Sequence, residues 1–160
     1  EPERKRRCWT LEYADTVRAM AEGLREGASG DRSITFHPRG METSDLFHSE
    51  PWLDFNSLQT SHFKPNEPNY LTIERLYHRR PPNPCLDMEP NYELAPMFVV
   101  GHHGLQPPNS AVFHAYDVRK ALYRSVLAGA AGAAHGCEPL RQIHRVGDRV
   151  HIWQDEEMIP

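Results

Sequence analysis

The chain has 160 residues, with 18 Lys and Arg against 22 Asp and Glu, so its formal net charge is −4; 39% of the residues are hydrophobic and 25% are charged. This is ordinary globular composition with enough chain for one sizeable core, and its charge gives no reason to expect nucleic acid or an anionic membrane as a partner. No apolar run reaches the 18 residues of a membrane span, so membrane insertion is not expected.

The first predicted element is an amphipathic helix. From Thr10 to about Glu26 the apolar residues recur at intervals of four, three and four, with Thr10 as its N-cap. Ser33 to His37 then alternates apolar and polar residues, as a strand does, until Pro38 and Gly40 end the pattern. The buried stripe of this helix is expected to be Tyr13, Val17, Met20 and Leu24.

Strand and helix signals then alternate along the chain. In order, they are a short helix or turn over 45–52, a strand over 54–59, a helix capped by Asn69 and ended by Pro81 and Pro82, a strand over 84–89, a long helix from Asn109 or Ser110 to about Ala128, and a small-residue strand over 132–136. The long helix is expected to bury Val112, Ala115, Val118, Leu122 and Val126.

This alternation predicts an α/β fold with parallel strands, either a doubly wound sheet or a (β/α)8 TIM barrel. No Gly-x-Gly-x-x-Gly or Gly-x-x-x-x-Gly-Lys follows any strand. Polar residues instead follow the strand ends, where barrel enzymes keep their active sites. A barrel needs about 250 residues, roughly 31 per unit, so the chain is expected to be the C-terminal half of one, about strands 5 to 8, with the N-terminal half absent.

Glu89 is the residue most suited to catalysis. Alternation along the strand puts Cys85, Asp87 and Glu89 on one face and Leu86 and Met88 on the other. In a barrel, Leu86 and Met88 would face the helices, and the two acids would point inward at the mouth. A shielded carboxylate there suits a nucleophile or an acid/base; the alternative is a solvated loop acid before Pro90.

Other polar residues end the two earlier strands. His37 and Arg39 could bind sugar hydroxyls or keep a carboxylate ionised, or they could form an ordinary loop salt bridge. Gln59 and His62 leave the same two interpretations open. Asp54 begins its strand, at the bottom of a barrel, and a structural role is expected there.

Two rival chemistries have weaker support. Five histidines could suggest a metal site, but no H-E-x-x-H or comparable spacing occurs, so no metal is expected; they are His102, His103, His135, His144 and His151. Ser61 and His62 could suggest acyl transfer, yet no nucleophile elbow surrounds the serine. The odd set of three cysteines argues against a disulfide framework, although one bridge is not ruled out.

Five ordered segments resemble the apiosidase-like glycoside hydrolases, a family in which many members are labelled only as collagen-binding or of unknown function. The resemblance covers roughly residues 15 to 136. The segments are Ile34-Thr-Phe-His-Pro-Arg-Gly40, Trp52-Leu-Asp-Phe-Asn56, Gln59-Thr-Ser-His62, Leu86-Asp-Met-Glu-Pro-Asn-Tyr-Glu93, and Tyr116-Asp-Val-Arg119 through Ser125-Val-Leu-Ala-Gly-Ala-Ala-Gly132.

The resemblance implies a (β/α)8 barrel that cleaves plant cell-wall or related polysaccharide side chains by a retaining mechanism, without a cofactor. Glu89 falls on the family's nucleophile position at the end of the seventh strand. The acid/base belongs to a Gly-Gly-Asp motif after the fourth strand, which would precede residue 1, so the 160 residues alone are expected to be inactive and poorly stable. The resemblance also implies sugar-binding or nucleophile-orienting roles for His37, Arg39, Gln59, His62, Asp87 and Tyr92.

The chain departs from the family pattern at three places. Thr60 and Ser61 stand where a Gly is usual, and Met41 stands where a second Gly usually follows His-Pro-Arg-Gly. Residues 137–150 intervene before a segment resembling the family's next motif, which contains Trp153, so 1–136 is expected to be the partial barrel and 137–160 a divergent C-terminal tail.

The leading hypothesis is thus a fragment of a glycoside hydrolase catalytic domain with an oligo- or polysaccharide substrate. A non-catalytic carbohydrate- or matrix-binding domain and a non-enzymatic α/β scaffold remain as alternatives. No targeting segment is visible at the N-terminus; a polysaccharide substrate would favour a periplasmic or extracellular location for the parent protein.

Overall fold

A computed structural model describes residues 12–28, 32–60, 66–97 and 111–141. The strands are β1 (Asn56–Leu58), β2 (Cys85–Asp87) and β3 (Gly132–Ala133), and a short 3₁₀ helix spans Ser44–Phe47. The helices are α1 (Ala14–Gly27), α2 (Asn69–Tyr77), α3 (Ala115–Leu127) and α4 (Glu138–Arg141). Within these residues, no helix is both long enough and apolar enough to cross a bilayer.

The three strands form one parallel sheet in the order β1, β2, β3. Leu58 is paired with Asp87 in the first register, and Asp87 with Ala133 in the second. A parallel pair needs a crossover connection, and the sequence between the strands supplies α2 and α3. The predicted α/β fold with parallel strands is therefore confirmed for the described residues.

The segment 32–37, which contains the strand predicted over 33–37, is not part of the regular sheet. It lies along β1: the Ile34 carbonyl accepts a hydrogen bond from the Asp54 backbone N–H at 3.0 Å, and the Phe36 carbonyl accepts one from Ser57 Oγ. Both chains advance in the same direction across these contacts. Only the first of these two donors is a backbone N–H, so the contacts do not form a regular ladder.

Two apolar clusters hold the layers together. One joins α1 to the segment 32–37 and the turn after it, and contains Ala21, Ile34, Phe47, Trp52 and Leu53. The other packs α2 and the residues that follow α3 against the sheet, and contains Leu58, Ile73, Leu76, Cys85 and Ala130. Burial of such side chains is the main favourable term in folding, and these clusters fix which face of each strand meets the helices.

The predicted helix stripes are only partly correct. On α1, Ala21 is buried, whereas Met20 is 63% and Leu24 59% exposed. Met20 and Leu24 line an apolar groove of about 270 Å³, which no other part of the described chain covers. On α3, Val118 is buried but Val126 is exposed. α3 also begins later than expected, at Ala115.

Asn69 does not cap α2, contrary to the sequence prediction. It is the first residue inside the helix, and Pro68 occupies the N-cap position. Its side chain is turned inward, where Nδ2 donates to the Ala121 carbonyl and to Ser125 Oγ, each at 2.9 Å. Asn69 thus hydrogen-bonds to α3 instead of capping the start of its own helix.

Candidate active site

The candidate site lies at what we call the carboxyl edge: the residues that follow segment 32–37, β1, β2 and β3. The four segments run in the same direction, so their ends meet at one edge of the sheet. His37, Gln59, Glu89 and His135 each follow one of these ends. The clustering of polar residues after strand ends, expected from the sequence, is therefore present.

Glu89 and His37 are in contact at this edge. Glu89 Oε2 lies 3.4 Å from His37 Nε2, and the two side chains are 25% and 41% exposed. β1 lies between segment 32–37 and β2, and neighbouring strands are about 4.8 Å apart, so the two side chains reach toward each other beyond the end of β1. This contact draws Glu89 toward the edge and away from bulk solvent.

The hydrogen bonds of His37 determine where its proton is. Nδ1 lies 2.9 Å from the Pro38 carbonyl oxygen, which only accepts, so Nδ1 carries a hydrogen. A neutral ring would then present a lone pair to Glu89, whereas an imidazolium presents a hydrogen. Nε2 is therefore the ring nitrogen that faces Glu89.

Arg39 and Gln59 belong to the loop beside this pair. Arg39 is exposed and forms no ion pair within the described residues. Gln59 is tied to the loop through its backbone: its carbonyl accepts from the Met41 N–H at 2.8 Å, and its N–H donates to the Glu42 carbonyl at 3.3 Å. Their predicted roles in substrate binding stay predictions.

Asp87 lies on the face of β2 that the helices cover, so the prediction that this acid points away from the helices is wrong. Cys85, two residues earlier on the same face, packs with Ile73 and Leu76 of α2, so this face of β2 is the one the helices cover. Asp87 is 0% exposed. Within β2 the predicted alternation holds, with Cys85 and Asp87 buried and Leu86 half-buried, but the helices cover the face that carries the acid. The strand ends at Asp87, so the predicted shared face does not extend to Glu89.

The carboxyl group of Asp87 is held by uncharged groups from three other elements. Oδ2 accepts hydrogen bonds from Thr60 Oγ1 at 2.8 Å and Ser125 Oγ at 3.1 Å, and Asn69 Nδ2 lies 3.5 Å away. Burial raises the pKa of Asp87 above its ordinary value, and the hydrogen bonds from Thr60, Ser125 and Asn69 oppose that shift. Asp87 is thus a buried residue that links β2 to the surrounding elements, two positions before Glu89.

A second histidine and carboxylate pair, missed by the sequence analysis, lies at the end of β3. Glu93 Oε2 is 3.6 Å from His135 Nε2, and the glutamate side chain is only 12% exposed. The Glu93 N–H donates to the Gly136 carbonyl at 2.9 Å. A signal was available, because Glu93 follows Glu89 by four residues in the motif that carries the resemblance.

Tyr92 is held against the backbone of Gly136. A Cβ atom added at residue 136 would lie 2.1 Å from Tyr92 Cδ1, far inside contact distance. Only a glycine allows the ring to lie there. Tyr92 is half-buried beside the Glu93 and His135 pair, and its predicted role in sugar binding stays a prediction.

Several residues of the sequence analysis cannot be placed. His62 lies outside the described residues, as do Ser61, Trp153 and four of the five histidines considered for a metal site. Among the described residues, no group of three or more His, Cys, Asp or Glu side chains could hold a metal ion. Cys85 is a buried free thiol. Asp54 has the structural contacts expected of it, with the Ile34 N–H at 2.6 Å and Arg25 Nη2 at 2.9 Å.

Comparison with known proteins gives a family and a fold. Residues 3–158 match the family model described as the apiosidase-like catalytic domain. A glycoside hydrolase family 5 protein from Bacteroides vulgatus superposes with a TM-score of 0.73 at 32% identity, over 85% of this chain and 30% of that one. A second structure, described as a glycoside hydrolase, gives 0.70 at 32% identity, over 81% and 31%. No curated protein matches.

Proposed function

The chain belongs to the apiosidase-like family of catalytic domains, and on that basis we propose that it supplies the nucleophile half of a retaining glycosidase active site. The parent enzyme is proposed to cleave plant cell-wall or related polysaccharide side chains. The observation that carries the proposal is Glu89 at the carboxyl edge, 3.4 Å from His37. Barrel enzymes place their catalytic groups at this edge.

The chain spans 30% and 31% of the two solved structures it resembles. A (β/α)8 barrel has eight units, so the described sheet and helices are proposed to be its C-terminal half. The acid/base is proposed to come from the other half. A retaining glycosidase needs its two carboxyl groups about 5–5.5 Å apart, so the 160 residues alone are expected to give no turnover.

In this mechanism a Glu89 carboxylate oxygen attacks the anomeric carbon while the acid/base protonates the leaving oxygen. The glycosyl ester on Glu89 is then hydrolysed by water, which the same acid/base deprotonates. His37, whose Nε2 lies 3.4 Å from Glu89 Oε2, would orient the carboxylate for attack. The electrostatic interaction between His37 and Glu89 would be stronger in this half-buried setting than in bulk water.

Glu89→Gln in the full-length protein tests the assignment. Activity is measured on a panel of aryl glycosides and on oligosaccharides released from plant cell-wall polysaccharide. We expect kcat to fall by about 10³-fold or more, because amide nitrogen and oxygen cannot form the glycosyl ester, while binding of the oligosaccharides is retained. Glu22→Gln, an exposed glutamate on α1, is the matched control and should match the wild type.

A fluorinated glycoside that traps the covalent intermediate gives an independent readout. Peptide mass analysis should find the sugar on the peptide containing Glu89. Equal turnover in Glu89→Gln and wild type, or a label on another carboxylate, would overturn the catalytic assignment. Saturable binding with no turnover in the wild type would instead support a non-catalytic carbohydrate-binding domain.

A further inference from the structure

The buried cluster around Asp87 contains two oxygens that no donor satisfies. Asp87 Oδ1 and Asn69 Oδ1 are both buried without a hydrogen-bond partner. The two side chains are neighbours, since Asn69 Nδ2 lies 3.5 Å from Asp87 Oδ2. An unsatisfied buried acceptor costs about 1–3 kcal/mol, so two in adjacent side chains suggest a hydrogen shared between them.

The charge balance points to the same shared hydrogen. The groups that contact the Asp87 carboxyl come from the end of β1, from α2 and from α3, and all are uncharged: Thr60, Asn69 and Ser125. The titratable neighbour on its own strand is the buried thiol of Cys85. Thus none of these contacts supplies the positive charge that a buried carboxylate requires.

We propose that Asp87 is a neutral carboxylic acid whose hydrogen, on Oδ1, is donated to Asn69 Oδ1, and that this uncharged cluster positions the end of β2 that carries Glu89. One hydrogen then satisfies both orphaned oxygens, while Oδ2 keeps its bonds from Thr60 and Ser125. Burial, which raises the pKa of Asp87, acts in the same direction. The positioning part of this inference rests on the proposed function of Glu89.

The geometry connects the cluster to the candidate nucleophile. Asp87 is the last residue of β2. Its carbonyl accepts from the Ala134 N–H at 2.8 Å, and the next residue, Met88, donates to the Leu58 carbonyl at 2.9 Å. The backbone at the end of β2 is thus bonded to β1 on one side and to the residue after β3 on the other. The Asp87 side chain is bonded to residues of the helices, two positions before Glu89. Asp87 is accordingly a positioning residue and not a catalytic one.

Asparagine is the closest mimic of a neutral aspartic acid, so Asp87→Asn is the decisive variant. Its amide oxygen can accept from Thr60 and Ser125, and its NH₂ can donate to Asn69 Oδ1. In the full-length protein we expect the melting temperature and kcat/KM on the aryl glycosides to stay near wild type, within about threefold for kcat/KM. Asp87→Ala should lower both stability and kcat while leaving KM within about threefold.

The pH dependence distinguishes a neutral acid from a carboxylate. A raised pKa in the folded state means that the wild type loses stability as pH rises from the unfolded pKa toward the folded one. The amide introduced by Asp87→Asn cannot ionise, so the stability of this variant relative to wild type should rise from about pH 4 to pH 8. Asp15→Asn, whose side chain is 99% exposed, should show no such trend.

Carbon-13 NMR of the aspartate carboxyls in the wild type removes any dependence on variants that fail to fold. The neutral-acid proposal requires one buried carboxyl that is still protonated near pH 7. A titration complete below about pH 4, or Asp87→Asn as damaging as Asp87→Ala, would overturn it. If Asp87→Asn behaves as expected but Glu89→Gln is fully active, the neutral acid stands and its link to catalysis falls.

Discussion

His37 Nε2 lies 3.4 Å from Glu89 Oε2. His37 ends segment 32–37 and Glu89 follows β2, and β1 lies between these two segments. The contact brings together residues that are 52 positions apart in the chain, each at the carboxyl end of its own segment. Such a pair places a basic side chain beside the proposed nucleophile. The predictions below test this pair and the structure that supports it.

His37→Ala should lower kcat/KM in the full-length protein by up to about 5-fold. The 3.4 Å contact with Glu89 joins two partly exposed side chains, and such pairs contribute up to about 1 kcal/mol, which is about fivefold in rate. Activity is measured on the same aryl glycosides. His78→Ala, which removes an exposed histidine at the end of α2, is the control; equal effects of the two changes would argue against a role for His37.

Gly136→Ala should disrupt the loop that carries Tyr92 and Glu93. The new Cβ would lie 2.1 Å from Tyr92 Cδ1, so the ring must move, at a cost of about 1–3 kcal/mol. Gly132→Ala is the matched control, because its Cβ would lie 3.8 Å from Leu86 Cδ2, an ordinary contact. Thermal unfolding and kcat/KM are measured for both, and an unchanged Gly136→Ala protein would contradict the observed packing.

Met41→Gly should stabilise the protein by up to about 1 kcal/mol. Met41 has φ of 66°, in the left-handed region, which costs a side-chain-bearing residue about 1–2 kcal/mol; the greater entropy of unfolded glycine offsets about 0.5–1 kcal/mol. This is the position where the resemblance led us to expect glycine. The same change at Met20, an exposed residue inside α1, should destabilise by about 1 kcal/mol, and a loss of stability at both positions would contradict the argument.

Asp54→Asn should weaken the junction between α1, segment 32–37 and β1, in a manner that depends on pH. The Ile34 backbone N–H and the Arg25 guanidinium hold the pKa of Asp54 below its ordinary value. Such a group stabilises the fold above its unfolded pKa, and this contribution is lost as pH falls through the lowered folded pKa.

The variant should therefore unfold at lower temperature near neutral pH. The difference should be at most about 1 kcal/mol, because the carboxylate is 37% exposed and screened by solvent. It should shrink toward zero as the pH is lowered to about 3. Thermal unfolding over that range is the measurement, with Asp15→Asn as the control, and a difference that grows on acidification would contradict the assigned sign.

Sequence periodicity determined the order of the elements, because helix and strand periods depend on neighbours in the chain. α1, α2, α3 and the three parallel strands all lie where apolar spacing and proline or glycine breaks indicated. The sequence predicted Glu89 as the last residue of a strand, whereas the structure ends that strand at Asp87, two residues earlier. The limits of α3 and the N-cap of α2 could not be predicted, since side chains from elsewhere in the fold compete for those positions.

The sequence by itself thus determined an α/β chain with an acid at a strand end, together with the family resemblance that the comparisons confirm. Only the tertiary structure decided which face of β2 the helices cover. Alternation separates two faces but does not rank them, and a polar residue can occupy the buried one when distant groups satisfy it. Thr60, Asn69 and Ser125 do so for Asp87, and no local pattern connects those three positions.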